Sequence, residues 1–397
     1  MNSPDGPADR PRSLIRATPQ RILVICEGQL GDLIILGPAL RAMKESFPSS
    51  SLSLLAVQRR TYTNAGRAPS GVLSEPPEAG TCDIYRFDPL VDQIAEVDRA
   101  TLRLLSGARR ARAELSILSW IRKGRFDLVL CAFPQDRFFL WAFLSGAGIR
   151  VGERKGPMAR LLTNRIEGKR HRGGVLRYYC ALAEASGAEV RSHETKVHIP
   201  EAAKGRADEL WRLNGWSEGT RVVAVHPGAS GLYRVWPPER YASLVDHLQG
   251  IRKIPVLLCG SAFDREMVEE VRRCSKTAPW LLPEGEGVLV LGAVLQACAL
   301  CISNNSGPRH LAIAVGTPSL ALIPRYDDLQ WKIYEDEQKA GTMQSALECP
   351  GCPSAACWNL IPPGERFGSF CMRALSLEAV RERVDLLLEM QTPASAN

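Results

Sequence analysis

The chain has 397 residues, 45% hydrophobic and 23% charged, a globular balance that excludes disorder, collagen and coiled coil as descriptions of the whole and predicts two or three packed units. No run reaches about 18 uncharged apolar residues and the polar start MNSPDGPADRPRS has no apolar core, so a cytoplasmic protein with neither a spanning helix nor a signal peptide is expected. The net charge of +7 favours an anionic partner, with nucleic acid, phospholipid and phosphorylated sugar all open.

Residues 1–19 read as a disordered Pro- and Arg-rich tail. Arg21 to Cys26 (RILVIC) is an apolar strand, Glu27 to Gly31 a Gly-containing turn, and Asp32 to Phe47 a helix ended by Pro48. Ser51 to Val57 and Phe126 to Ala132 supply further strands, with a weakly structured polar segment at 59–83 between them. They are apolar blocks rather than alternating runs, as in a parallel sheet covered on both faces. The second half repeats the theme with strands expected at Val222 to His226, Pro255 to Gly260, Val288 to Leu291, Leu300 to Ser303 and Ser319 to Ile323. The segment Glu201 to Glu218 reads as the connection between halves. The expected α/β architecture is therefore two Rossmann-like domains, 20–200 and 201–390, whose parallel sheets face a central cleft.

Three segments carry chemistry. In Gly28-Gln-Leu-Gly31-Asp32 the glycines let backbone approach a ligand and the Asp32 charge suits a helix start, although the same residues fit an N-cap aspartate on an ordinary turn. The dinucleotide fingerprint G-x-G-x-x-G is absent, which argues against a nicotinamide enzyme. In His226-Pro-Gly228-Ala-Ser230, followed by Arg234 and Trp236-Pro-Pro, a strand ends in a loop that offers amides and a cation to a diphosphate, or else only starts a helix and plugs the core. Asn305-Ser306-Gly307-Pro-Arg-His310, ending at Gly316, is a capped short helix whose positive end suits a phosphate.

In this order the segments resemble the glycosyltransferase family 9 heptosyltransferases of lipopolysaccharide core assembly, over roughly residues 20 to 390. RILVICEGQLGDLIILGPALRAMKESFP, FDLVLCAF, Gly146 to Gly152, VVAVHPGAS with RVWPPERYASLVDHL, and SNNSGPRHLAIAVGTPSLALI carry the resemblance. It implies the GT-B fold and inverting transfer of a heptose or similar sugar from an ADP-sugar donor to a lipopolysaccharide core or related lipid-linked glycan, with no nucleic acid partner. Asp32 matches the family's proposed general base; Gly28 and Gly31 lie on the acceptor side. The donor would be held by Gly228, Ser230, Arg234, Asn305, Ser306, Gly307 and His310, with Asp264 or Glu266 on the ribose. Arg234 stands where the family often has lysine, and Asn305 where it has aspartate, which leaves the sugar less secure than transfer itself. A same-fold transferase acting on a protein or another glycan, or a non-catalytic nucleotide-sugar binder, are the alternatives.

No Asp-x-Asp motif occurs, so catalysis needs no metal under this reading. The basic residues Arg103, Arg109, Arg110, Arg112, Arg122, Lys123 and Arg125 alternate with apolar ones in a pattern suited to an anionic membrane face, the cytoplasmic side of the inner membrane, or to a solvated helix. A second basic stretch, from Arg150 through Arg154, Lys155, Arg160 and Arg165 to Lys169, Arg170 and Arg172, is expected to meet acceptor phosphates. Of twelve cysteines, Cys26, Cys131, Cys259 and Cys301 lie in apolar runs and read as reduced core residues. Cys349, Cys352, Cys357 and Cys371 cluster in a Pro-rich loop, which leaves either a structural zinc or iron site or plain thiols or a disulfide.

Overall fold

The computed structural model describes residues 18–58, 72–75, 80–167, 174–325, 334, 339–347 and 361–391. Residues 1–17 of the expected tail, most of the polar segment after Val57, and Lys169, Arg170 and Arg172 lie outside them, while Pro19, at the tail's expected end, is buried.

The first half runs β1 (Arg21–Glu27), α1 (Leu30–Ser46), β2 (Ser51–Gln58), β3 (Leu73–Ser74), β4 (Gln93–Asp98), α2 (Arg99–Leu104), α3 (Gly107–Lys123), β5 (Leu128–Cys131), α4 (Asp136–Leu144), β6 (Ile149–Glu153), β7 (Asn164–Ile166) and α5 (Gly174–Ala185). Its sheet has the order β3-β4-β2-β1-β5-β6-β7, parallel except for the β3–β4 pair. The reversal of strand order beside β1 opens a crevice at the carboxyl ends of β1 and β5.

The second half runs α6 (Glu201–Leu213), β8 (Val223–His226), α7 (Pro238–Asp246), β9 (Val256–Leu258), α8 (Arg265–Cys274), β10 (Trp280–Leu281), α9 (Val288–Gln296), β11 (Leu300–Asn304), α10 (Gly307–Ala314), β12 (Ser319–Ile323), β13 (Ala340–Gln344), α11 (Phe370–Ala374) and α12 (Leu377–Met390). Its six strands, β10-β9-β8-β11-β12-β13, are all parallel, and the order reverses between β8 and β11. Two Rossmann-like sheets make this the GT-B fold expected.

Packing explains why α1 is apolar nearly all round. Leu33, Ile34, Ile35, Leu36, Leu40 and Met43 are all buried, because the helix is covered by its own sheet, by α5 and by the second half. One apolar cluster runs from these residues through Leu182 of α5 to Val294, Leu295 and Leu311 of α9 and α10. The halves thus share a core at this seam, which fixes the start of α1 against the start of α10.

Two expectations are corrected. Val288 to Leu291 is the first turn of α9, not a strand: a short apolar run reads alike in either state, and here it continues through Gly292 to Gln296 as one helix. Residues 201–213 form α6 rather than a bare connection, with Ala203, Ala207, Leu210 and Trp211 buried against α9. Cys26, Cys131, Cys259 and Cys301 are free and buried as expected.

Candidate active site between the two sheets

The start of α1 is built for close approach. Gln29 is the N-cap, without a side-chain cap, and Asp32 is the third helical residue, so the simple N-cap reading of Asp32 does not hold. Its charge reaches inward: burial pushes the Cys26 thiol and Tyr179 phenol up, and the Asp32 carboxylate adds to both shifts. The glycines before it make room for protein. A Cβ on Gly28 would lie 2.7 Å from Gln58 Nε2, and one on Gly31 only 2.9 Å from His310 Cδ2 across the seam. Reciprocally, a Cβ on Gly307 would lie 3.0 Å from Leu30 Cβ. The two glycine turns therefore interlock, and Asp32 sits next to the contact.

At α10, His310 is buried and its Nδ1 lies 2.9 Å from the Tyr334 hydroxyl. Burial, then the charges of Arg309 and Arg234, hold its pKa well below the usual histidine range, so the ring is neutral at physiological pH. Arg309 is itself buried, donates to Asn305 Oδ1 at 3.2 Å and lies over the Tyr334 ring. Asn305 thus serves a guanidinium from within the protein. The N-cap of α10 is Ser306, yet its hydroxyl makes no cap bond and lies 3.1 Å from His226 Nδ1 at the end of β8.

The β8 loop is tied to this helix by Asn304. Its amide donates to the carbonyls of Pro227 and Gly228, while its Oδ1 accepts from Trp236 N and the Tyr241 hydroxyl, both at 3.0 Å. Trp236 is fully buried, so it is both core plug and loop anchor. Beyond Gly228 the loop turns outward: Ser230 is exposed and accepts from Arg234 Nη1 at 3.1 Å.

Of the two carboxylates expected near a ribose, Glu266 is exposed and pairs with Arg366, whereas Asp264 faces inward. Burial would raise the Asp264 carboxyl, but the His226 charge and hydrogen bonds from His226 and Ser261 outweigh it and hold it at about 2. A Cβ on Gly228 would overlap the Asp264 carboxylate, so this glycine is required by packing.

In the first sheet, a cleft of about 750 Å³ opens at the ends of β1 and β5, lined by Glu27, Arg99, Arg103, Arg110, Gln135 and Arg137 among others. Glu27 is buried, with Arg99 Nη1 2.7 Å from Oε1 and the Gln135 amide on the same oxygen. Arg154 and Lys155 are exposed after β6, Arg154 pairing with Glu167 at 3.1 Å. Their turn adjoins the cleft, since Met158 N donates to Asp136 Oδ1 at 3.0 Å and Asp136 lines it.

The expected zinc or iron site is corrected. Among the described residues, no group of three or more His, Cys, Asp or Glu is placed to hold a metal ion. Cys371 is buried in the core of the second half, with its sulfur 3.3 Å from the Ser369 hydroxyl. Cys349, Cys352 and Cys357 lie outside the described residues.

Comparison with known proteins fits this geometry. The model of "Glycosyltransferase family 9 (heptosyltransferase)" matches residues 120–357, more than half of the chain. The chain belongs to glycosyltransferase family 9. Lipopolysaccharide heptosyltransferase 3 of Escherichia coli K12 is 23% identical over 317 residues, 76% of this chain and 82% of that protein. Among solved structures, a family 9 glycosyl transferase from Veillonella parvula superposes with a TM-score of 0.73 at 21% identity, covering 94% of this chain and 98% of its own. An E. coli heptosyltransferase solved with ADP gives 0.66 at 14% identity over 92% and 99%. The activity class of this family 9 chain is heptosyltransferase-like sugar transfer.

Sequence reasoning singled out Asn305 and passed over Asn304, the hub of the loop; doubled asparagines after a strand were its only mark. It also missed Glu27, whose place directly before Gly28 at the end of an apolar strand marked a buried carboxylate, and Tyr334, which no local pattern signals.

Proposed function

We propose that this protein transfers a heptose or similar sugar from an ADP-sugar to a lipopolysaccharide core or related lipid-linked glycan, with inversion at the anomeric carbon. The observation that carries this reading is the interlock of Gly31 with His310 and Gly307 with Leu30, which sets a carboxylate of one half beside an anion-suited helix start of the other. Asp32 takes the proton of the acceptor hydroxyl as its oxygen attacks C1, and the bonding pair of C1 leaves with the nucleoside diphosphate. Amides at the start of α10, with Gly228, Ser230, Ser306, Gly307 and the cation of Arg234, stabilise the charge that develops there. The neutral His310 adds a polar contact without a second charge to neutralise Asp32.

Asp264, turned inward, suits the ribose role less than its sequence position implies, because Ser261 and His226 already use one of its oxygens. Residues near 200 divide the donor half from the acceptor half. In the acceptor half, the arginine-lined cleft and Arg154 and Lys155 meet acidic groups of the acceptor, while the room at Gly28 and Gly31 is taken by Gln58 and His310. Among the described residues no helix is long and apolar enough to cross a membrane. The exposed Leu104 and Leu115, set among Arg103, Arg109 and Arg112, favour peripheral contact with an anionic bilayer, the inner membrane's cytoplasmic face.

Calorimetric titration with ADP-heptose, ADP, UDP and UDP-sugars tests the donor. Adenine-selective binding that heptose strengthens is expected; equal or tighter binding of UDP-sugars overturns the assignment of the donor.

A further inference from the structure

Ser306, His226 and Asp264 form a continuous hydrogen-bonded chain in the donor half, and it ends at the start of α10. The Ser306 hydroxyl lies 3.1 Å from His226 Nδ1, and His226 Nε2 lies 3.4 Å from Asp264 Oδ2. The same Asp264 oxygen also accepts from the backbone N–H and the hydroxyl of Ser261, at 2.9 and 2.7 Å. His226 is 4% exposed, so the ring cannot trade these partners for water.

The donor and acceptor count dictates what the chain can do. Asp264 remains an anion at working pH and only accepts, so His226 Nε2 carries a proton toward it. With the ring neutral, Nδ1 is an acceptor and the single proton of Ser306 points back at it. That orientation turns lone pairs of the serine oxygen toward the helix start, where they would repel a phosphate. With the ring protonated, Nδ1–H donates to Ser306 Oγ, and the serine proton is released toward the helix start. Among the described residues, the alternative acceptor is the Asn304 carbonyl, a longer 3.3 Å away.

We infer that His226 is a positioning residue that takes up a proton when a diphosphate occupies the start of α10, and that through Ser306 it turns this hydroxyl into a donor to the anion. The inference rests on the donor reading above and adds to it a proton that travels with the diphosphate. No bond between heavy atoms changes in this step; a hydronium or buffer acid gives up one proton to form Nδ1–H, and the Ser306 hydroxyl rotates from Nδ1 to a phosphate oxygen. The charged groups on the surrounding elements fit the exchange. Asp264, before α8, favours the added charge, while Arg309 of α10 is held by Asn305 and Arg234 of the β8–α7 segment by Ser230. The Cys259 and Cys301 thiols on the neighbouring strands stay neutral, because burial pushes both up.

The test is calorimetry of the full chain at about pH 8, where an ordinary histidine is neutral. ADP and inorganic pyrophosphate are each titrated in buffers of different ionisation enthalpy, which gives the protons taken up per ligand bound. Wild type is expected to take up close to one proton more than H226Q or S306A, with D264N in between, and affinity in each variant is expected to fall about 10-fold or more. S306A removes a small hydroxyl and decides the matter should H226Q fail to fold. Equal uptake in wild type and variants overturns the inference, as does failure of pyrophosphate to bind at all. Uptake with pyrophosphate while ADP does not bind would uphold the relay and refute the ADP donor.

Discussion

Replacing Gly31 with alanine separates folding from catalysis at the seam. Gly31 lies inside α1 at ordinary helical geometry, so alanine should favour the helix by about 1 kcal/mol. The added methyl, however, would stand 2.9 Å from His310 Cδ2, while carbon atoms at rest lie about 3.5–4.0 Å apart. Between about 0.6 and 1 Å of movement is needed. His310 cannot swing aside cheaply, being buried and hydrogen-bonded to Tyr334, so the starts of α1 and α10 must part. Misplacement of reacting groups by about 1 Å can cost about 100-fold. Steady-state kinetics should therefore show kcat down 10- to 100-fold in G31A, roughly, with Tm within about 4 °C of wild type. The double variant G31A/H310A should lose less than the product of the single effects, since the ring that the methyl meets is gone. Wild-type kcat in G31A, or strict additivity in the double variant, would refute the reasoning.

Asp32→Asn should lower kcat about 100- to 10,000-fold while ADP affinity stays within a few-fold, measured by turnover and calorimetry side by side. Asn305→Asp places a carboxylate beside the buried Arg309 and should change the ranking of ADP-sugars in a competition assay more than it changes affinity for ADP itself. Because the folded-state pKa of His310 is depressed, the unfolded chain binds the extra proton; stability falls as pH drops below about 6.5, by about 1.4 kcal/mol per unit from this group, and denaturant titrations of His310→Gln should lack that part. Asp264, held at about 2, stabilises above about pH 4 and loses this contribution as pH falls toward 2; Asp264→Asn should flatten that acid limb.

Local signals exposed most of the architecture. β1, β2, β5, β8, β11 and β12 are apolar blocks buried on both faces, the pattern that reads most clearly from a chain. The edge strands β7, β10 and β13 are two to five residues long or mixed in polarity and were not legible. The start of α9 failed because a short apolar run carries no period of its own. At the site, the glycines of both turns were visible, but their purpose was not: Gly31 and Gly307 accommodate the opposite half, a contact between residues far apart in the chain. Ser306 looked like a cap and instead serves His226 across the sheet. Such pairings depend on the docking of two sheets, which no window of sequence contains.

The most direct test is a single assay: wild type and Asp32→Asn are incubated with ADP-heptose and purified lipid-linked core oligosaccharide, and the product is read by mass and anomeric configuration. The account predicts one heptose added with inversion by wild type and almost none by the variant. Transfer with retention, or full transfer by Asp32→Asn, would contradict it.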